Sequence, residues 1–139
     1  MDFIEIAKSA KQAALEIADI KTELKNEALN KIADALEKAT DEIFEANQKD
    51  LEAAKGLVES GEITQSTYNR LKLDDNKMRD MISGIRDVAN LQDPINKTLL
   101  ARELDEGLIL YKVSCPIGVL GIIFEARPDV ISQISALAI

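Results

Sequence analysis

The chain of 139 residues contains no histidine and a single cysteine, and each shortage excludes a class of function. Without histidine the sequence lacks the commonest general base and the commonest metal ligand, which excludes a Ser-His-Asp triad and argues against a metal site. One cysteine cannot form an internal disulfide, so we expect a cytoplasmic protein. Carboxylates, lysines, arginines and Cys115 remain as candidates for chemistry.

Positive charge is also scarce. Lysine and arginine number 17 against 25 acidic residues, which gives a formal net charge of -8. Such a chain repels polyphosphate backbones and has no basic stripe with interleaved aromatics, so we expect neither a nucleic-acid nor a membrane partner. The longest apolar run, residues 117–124, is too short to cross a bilayer as a helix, and the N-terminus lacks the pattern of a signal peptide. The 46% hydrophobic content is enough for a core.

The first 92 residues have a helical pattern, because apolar residues recur at steps of three and four. Candidate capping residues mark the predicted helix starts: Asp2, Thr22, Thr40, Thr64 and Asp74. Thr40 either caps a third helix or lies within one continuous helix. Pro94 should stop the last helix of this set. The interleaved lysines and glutamates indicate solvated faces rather than sites.

The pattern changes period at Lys97. Two apolar stretches, residues 97–104 and 108–113, flank the sequence Asp-Glu-Gly at positions 105–107. Gly107 can take the positive φ that a three-residue hairpin loop with a bulge requires. This region therefore predicts an antiparallel hairpin.

Residues 117–124, Ile-Gly-Val-Leu-Gly-Ile-Ile-Phe, are apolar at consecutive positions. A strand that is apolar on both faces is typical of the interior of a parallel sheet covered by helices on either side. The chain offers no second run of this kind, and the helical stretch 130–139 ends without a polar closing residue. We therefore expect the front part of a larger α/β fold, in preference to one half of an intertwined assembly.

The residues that follow Phe124 are placed for chemistry, since ligands of open α/β sheets lie beyond the carboxyl ends of strands. Pro128 suits the first turn of a helix, whose N-terminal end favours anions, and Arg127 adds a fixed cation. Two interpretations stay open: an anion-binding site, or a turn in which Arg127 pairs with Glu125 and binds nothing. The glycines here do not form a Gly-x-Gly-x-x-Gly motif, so their spacing names no nucleotide.

Two adjoining segments carry a family resemblance. Residues 115–129, Cys-Pro-Ile-Gly-Val-Leu-Gly-Ile-Ile-Phe-Glu-Ala-Arg-Pro-Asp, and residues 102–113 closely resemble the gamma-glutamyl phosphate reductase (glutamate-5-semialdehyde dehydrogenase) family of the aldehyde dehydrogenase superfamily. Residues 47–54 and 68–73 are similar to the same family in the same order. The resemblance covers essentially the whole chain, as the amino-terminal portion of such a protein, and is most specific in residues 102–129.

The resemblance implies an incomplete α/β fold of the aldehyde dehydrogenase type: amino-terminal helices, a hairpin and the first strand of a Rossmann-type cofactor sheet. Residues 1–97 would be the helical part of the cofactor-binding domain, and residues 98–115 the hairpin of an oligomerisation element that makes a homo-oligomer. Residues 116–139 would supply the first strand and helix of the cofactor-binding sheet. The catalytic domain would lie outside the chain.

The implied reaction is the NADPH-dependent reduction of L-glutamate 5-phosphate to L-glutamate 5-semialdehyde in proline biosynthesis. The family's nucleophilic cysteine belongs to the catalytic domain, so we assign no catalytic residue here and expect the chain alone to be inactive. Cys115 is interpreted as a small core residue.

The resemblance also implies binding residues on this chain. Phe124, Glu125 and Ala126 would contact NADPH. Many aldehyde dehydrogenases carry an asparagine at the position of Arg127, and an arginine there could hold the phosphate or a carboxylate of the substrate by bidentate hydrogen bonds. The residues alone leave two alternatives open: a noncatalytic helical module that dimerises through its hairpin, and a stand-alone nucleotide-binding domain.

Overall fold

The computed structural model describes residues 2–139, in which it contains six helices and one two-stranded sheet. The helices are α1 (Phe3–Ala18), α2 (Thr22–Lys38), α3 (Thr40–Glu59), α4 (Gln65–Leu71), α5 (Asp75–Asn90) and α6 (Val130–Ala138); the strands are β1 (Thr98–Asp105) and β2 (Leu108–Val113). This order of helices, hairpin and final helix is the one that the sequence predicts. None of the helices in the described part is both long and apolar enough to cross a membrane.

Three of the predicted caps form as side-chain hydrogen bonds. The Asp2 carboxylate accepts from the N–H of Ile4 at 3.4 Å, and the Thr64 hydroxyl accepts from the N–H of Thr67 at 3.1 Å. The Asp74 carboxylate accepts from the N–H of Lys77 at 2.9 Å. Each bond satisfies one of the donors that the start of a helix leaves without an intrahelical partner.

The other two threonines have different partners from those predicted. Thr22 is the first residue of α2, and its hydroxyl donates to the carboxylate of Asp93 at 2.9 Å. The Thr40 hydroxyl donates to the carbonyls of Leu36 and Glu37, at 3.1 and 2.9 Å. Those carbonyls belong to the last turn of α2, which lacks intrahelical donors. The prediction that the Thr22 side chain caps α2 is therefore wrong. Of the two alternatives for Thr40, α3 is a separate helix, but the Thr40 side chain does not cap it.

The described residues divide into two compact units. One consists of the residues up to Thr22 together with Leu91–Gly121, and the other of Glu23–Asn90 together with Ile122–Ile139. The second unit contains a cluster of buried apolar side chains, called here the helical core: Leu29, Ala33, Met78, Met81, Ile82, Ile85, Ala89 and Ala136. Five of these eight residues lie on α5, on the face that the sequence periodicity predicts.

A buried amide fixes the connection between α4 and α5 in the second unit. Asn47 of α3 is 7% exposed. Its amide nitrogen donates to the carbonyl of Leu71 at 2.9 Å, and its amide oxygen accepts from the N–H of Leu73 at 3.0 Å. Leu71 is the last residue of α4 and Leu73 lies in the link before α5, so Asn47 supplies the partners that helix geometry does not.

The hairpin is antiparallel and contains the predicted bulge. Glu103 is opposite Ile109 and Asp105 is opposite Leu108, so the register shifts by one residue next to the loop. Gly107 has a φ of +76°, the left-handed conformation that this loop requires. Every residue of both strands is exposed.

Residues 117–124 differ from the expectation of a buried interior strand. Within the described chain they form no strand ladder, and Gly118 at φ +100° interrupts any regular extension. Ile117 is 88% exposed and Ile123 is fully exposed. Cys115 is also exposed, so the interpretation of it as a core residue is wrong for this chain. The physical reason is common to both: residues 2–139 supply no parallel strand beside this run and no layer that buries it.

Candidate substrate-binding site

The candidate site is the loop that joins the apolar run to α6, and all its residues belong to the second unit. Ala126 has a φ of +52°, a left-handed conformation that is uncommon for a residue with a side chain. After it the chain makes a tight turn in which the N–H of Val130 donates to the carbonyl of Arg127 at 3.2 Å. The helix begins at Val130, so Pro128 lies in this turn and not in the first turn of α6 as predicted.

Arg127 forms an ion pair with Asp129, which follows it in the chain, and not with Glu125, which precedes it. Its Nη2 lies 3.3 Å from Oδ2 of Asp129, and the interpretation of a pair with Glu125 is wrong. The Arg127 side chain is 54% exposed and that of Asp129 is 19% exposed. A guanidinium has five N–H donors and this contact uses one of them, so Arg127 retains donors for an anionic ligand.

Asp129 is a residue that the sequence reasoning missed. It occupies the N-cap position of α6, yet its side chain makes no capping hydrogen bond. Only its carbonyl serves the helix, accepting from the hydroxyl of Ser132 at 3.1 Å and from the N–H of Gln133 at 3.3 Å. The signal that could have found it is the acid two residues after Arg127, but that spacing alone does not tell a cap from an ion-pair partner.

The three residues expected to contact a nicotinamide cofactor lie together immediately before Arg127. Phe124 is half-exposed and Glu125 is exposed. Among the described residues, no backbone hydrogen bond joins residues 116–126 to another segment, so the peptide groups here retain their donors and acceptors. An aromatic ring can pack against the nicotinamide or adenine ring of such a cofactor, and a carboxylate can accept hydrogen bonds from ribose hydroxyls.

A separate groove of about 640 Å³ lies within the first unit. Its walls are small and apolar residues of α1, among them Ala14 and Leu15, and residues of the chain after β2, among them Pro116 and Val119. Lys11 is the one charged side chain in its lining. None of the predicted site residues reaches this groove.

The structure gives no support for a metal site or for a reactive cysteine at the candidate site. Across residues 2–139, no three His, Cys, Asp or Glu side chains come together in a group that could hold a metal ion. Cys115 lies after the end of β2 and before the apolar run, outside the loop that contains Arg127, and the sequence has no histidine to activate its thiol. The candidate site therefore offers an exposed guanidinium and contains no cysteine.

Comparison with curated proteins gives consistent names. The chain is 55% identical over 139 residues to gamma-glutamyl phosphate reductase of Brachyspira hyodysenteriae, covering all of this chain and 32% of that protein. It is 52% identical over 130 residues to the reductase of the same name from Methanosarcina mazei, covering 94% of this chain and 29% of that protein. No protein-family model matches the chain.

Solved structures agree with the curated relatives. The crystal structure of gamma-glutamyl phosphate reductase from Saccharomyces cerevisiae superimposes with a TM-score of 0.89 at 45% identity, over 96% of this chain and 33% of that one. The structure of the same enzyme from Thermotoga maritima gives a TM-score of 0.87 at 36% identity, over 97% of this chain and 32% of that one. The fold is thus an incomplete α/β fold of the aldehyde dehydrogenase type. The chain belongs to the gamma-glutamyl phosphate reductase family, and it spans about a third of the length of the relatives it matches.

Proposed function

We propose that the chain is part of an NADPH-dependent reductase that converts L-glutamate 5-phosphate to L-glutamate 5-semialdehyde and inorganic phosphate in proline biosynthesis. Family membership supports the reaction class, because the relatives carry the name of this enzyme. The structural observation in its favour is Arg127, an exposed guanidinium with donors still available beside a left-handed turn.

Arg127 is the residue of this chain that would bind the substrate. A guanidinium can hold a phosphate or a carboxylate with two parallel hydrogen bonds, and both groups occur in L-glutamate 5-phosphate. Arg127 orients the acyl phosphate and compensates its charge. We place the nucleophilic cysteine of the reaction outside residues 1–139, so the chain alone is inactive.

NADPH, when bound, supplies the hydride that reduces the acyl group to an aldehyde. Phe124, Glu125 and Ala126 are the residues of this chain that would hold it. The exposed Phe124 ring and Glu125 carboxylate suit its ring and sugar portions, and we assign the binding of its phosphates to residues outside this chain. This proposal predicts that the chain alone binds NADPH too weakly to saturate in a fluorescence titration.

The hairpin is proposed to join copies of the enzyme into a homo-oligomer. Its exposed large apolar side chains support this proposal: Leu99, Leu100, Leu104, Leu108, Ile109, Leu110, Tyr111 and Val113. A two-stranded ribbon that is exposed on both faces is a template for pairing with another strand. We assign residues 1–97 and 116–139 to the cofactor-binding domain, residues 98–115 to the oligomerisation element, and the whole enzyme to the cytoplasm.

The test replaces Arg127 in a full-length reductase that contains these 139 residues. Arg127→Ala should raise the KM for the acyl phosphate by about 10- to 100-fold, because a charge-assisted hydrogen-bonded contact is lost. Steady-state oxidation of NADPH measures the effect. Arg79→Ala on α5 is the matched control, since it removes an exposed arginine outside the site.

Two results would count against the proposal, and they mean different things. Full-length wild-type protein that does not oxidise NADPH with L-glutamate 5-phosphate would overturn the proposed function itself. Active wild-type protein with unchanged kinetics for Arg127→Ala would leave the reaction standing and remove Arg127 from the substrate site.

A further inference from the structure

Arg127 has two acidic neighbours at the same distance along the chain, and it forms an ion pair with only one of them. Glu125 and Asp129 each lie two residues from Arg127 along the chain, and the pair forms with Asp129. Ala126, in the left-handed conformation, lies between Glu125 and Arg127, whereas the hydrogen bond between Val130 and the Arg127 carbonyl keeps Asp129 in the same turn as Arg127. The fold therefore selects which acid meets the guanidinium.

The Asp129 carboxylate is also diverted from its ordinary role. Aspartate is among the favoured N-cap residues because its carboxylate accepts from the first N–H groups of a helix. In α6 it makes no such bond and instead contacts Arg127. A half-exposed ion pair adds little net stability, so stability does not account for this use of the side chain.

The two partners differ in exposure in the way that an orienting contact requires. Asp129 is mostly buried, and its carbonyl is held by Ser132 and Gln133, so its position is fixed by α6. Arg127 is more than half exposed and would otherwise sample many rotamers. A fixed carboxylate on one nitrogen restricts the plane of the guanidinium while its other donors stay available.

We propose that Asp129 is a positioning residue, which orients the Arg127 guanidinium for the anionic group of the substrate. This inference rests on the proposed function of Arg127 as the substrate-binding residue. Asp129 itself does not touch the substrate. It lowers the loss of rotamer freedom when Arg127 binds, because the side chain is already ordered before the anion arrives.

The test is a double-mutant cycle in the full-length reductase, with the variants Arg127→Ala, Asp129→Ala and the combination of both. Asp129→Ala should raise the KM for the acyl phosphate by about 3- to 10-fold, with kcat and the KM for NADPH within about twofold of wild type. The double variant should match Arg127→Ala, because Asp129 has nothing left to orient. Asp129→Asn should fall between wild type and Asp129→Ala, since its amide oxygen still accepts from Arg127.

Stability and a matched surface pair complete the design. The melting midpoint of Asp129→Ala should stay within about 2 °C of wild type, since the side chain does not cap α6. Glu45→Ala is the control, because it breaks an exposed ion pair with Lys49 on α3 and should leave every kinetic constant unchanged.

Each remaining outcome overturns the inference. Asp129 does not act through Arg127 if the KM of Asp129→Ala is unchanged, or if the increases in KM of the two single variants multiply in the double variant. The same holds if kcat falls together with the melting midpoint. Wild-type protein without reductase activity would overturn the proposed function as well. A normal KM for Asp129→Ala together with a raised KM for Arg127→Ala would overturn this inference and leave the proposed function standing.

Discussion

The helical core and the apolar segment 117–124 have similar side chains and opposite environments. Ile85 in the core is 1% exposed, whereas Ile123 in the segment is fully exposed. A helix satisfies its own backbone hydrogen bonds and needs partners only for one face. An interior strand needs a partner on each edge and a layer on each face. Apolar composition therefore buries a helix within this chain but not a strand.

The matched pair Ile85→Ala and Ile123→Ala gives the largest predicted difference between these regions. Ile85→Ala should reduce the free energy of unfolding by about 2–5 kcal/mol, because it removes buried methyl groups and leaves a cavity. Ile123→Ala should change it by about 0.5 kcal/mol or less, because the side chain is already in solvent. Urea unfolding of the chain, followed by far-UV circular dichroism, measures both.

Equal losses for the two variants would contradict the comparison. They would mean that Ile123 is covered in solution. Repeating the unfolding at several protein concentrations would then identify the cover, since burial between copies makes the midpoint depend on concentration.

A second, smaller effect concerns how the helical unit satisfies its irregular backbone. Asn47→Ala should cost about 2–3 kcal/mol, because it leaves the carbonyl of Leu71 and the N–H of Leu73 without their partner in a half-buried place. Gln48→Ala removes only an exposed bond to Glu52 and should cost about 0.5 kcal/mol or less. Urea unfolding of the two variants makes the comparison. A loss for Asn47→Ala no larger than for its neighbour would show that water replaces the amide.

The smallest predicted effect is electrostatic and lies on the surface of the same unit. Glu27 accepts a hydrogen bond from Lys31 at 2.6 Å, which together with the charge of Lys31 lowers the pKa of that carboxyl. A lowered folded pKa means that the pair stabilises the fold above the ordinary glutamate pKa and loses this contribution as the pH falls through the lowered value.

The variant Lys31→Gln should raise the pKa of Glu27 back toward its ordinary value, as measured by NMR titration of the side-chain carboxyl. Stability at neutral pH should hardly change, because exposed ion pairs contribute little. An unchanged titration midpoint would show that the pair does not persist in solution.

Most of the fold could be predicted because its signals are local. The period of the apolar residues predicts α5, Asp74 predicts its start, and Gly107 predicts the hairpin loop with its bulge. The two threonines that failed as caps show the limit. Thr22 bonds to Asp93, 71 residues away, and Thr40 serves the end of α2 instead of the start of α3. A capping residue indicates a helix end, but the competing partners of a hydroxyl depend on the packed structure.

The site was less predictable than the fold. The sequence places Arg127 after the apolar run, and the resemblance in residues 102–129 agrees with the family found by comparison. It does not predict which acid pairs with Arg127, because Glu125 and Asp129 are equally close in the chain. Ala126 lies between Glu125 and Arg127 in the left-handed conformation. An alanine in a sequence does not predict that conformation, which is uncommon for residues with a side chain.

The sequence by itself determined the helix pattern, the hairpin, the family and the presence of a cation after the apolar run, because these depend on residue type and on spacings of a few positions. Only the tertiary structure decided that Arg127 is paired with Asp129 and that Asn47 forms hydrogen bonds with the backbone between α4 and α5. It also decided that the apolar side chains of residues 117–124 stay exposed. Each of these depends on which groups are near each other in space. Hydrogen bonds and burial act over a few ångströms, and chain spacing alone does not fix those distances.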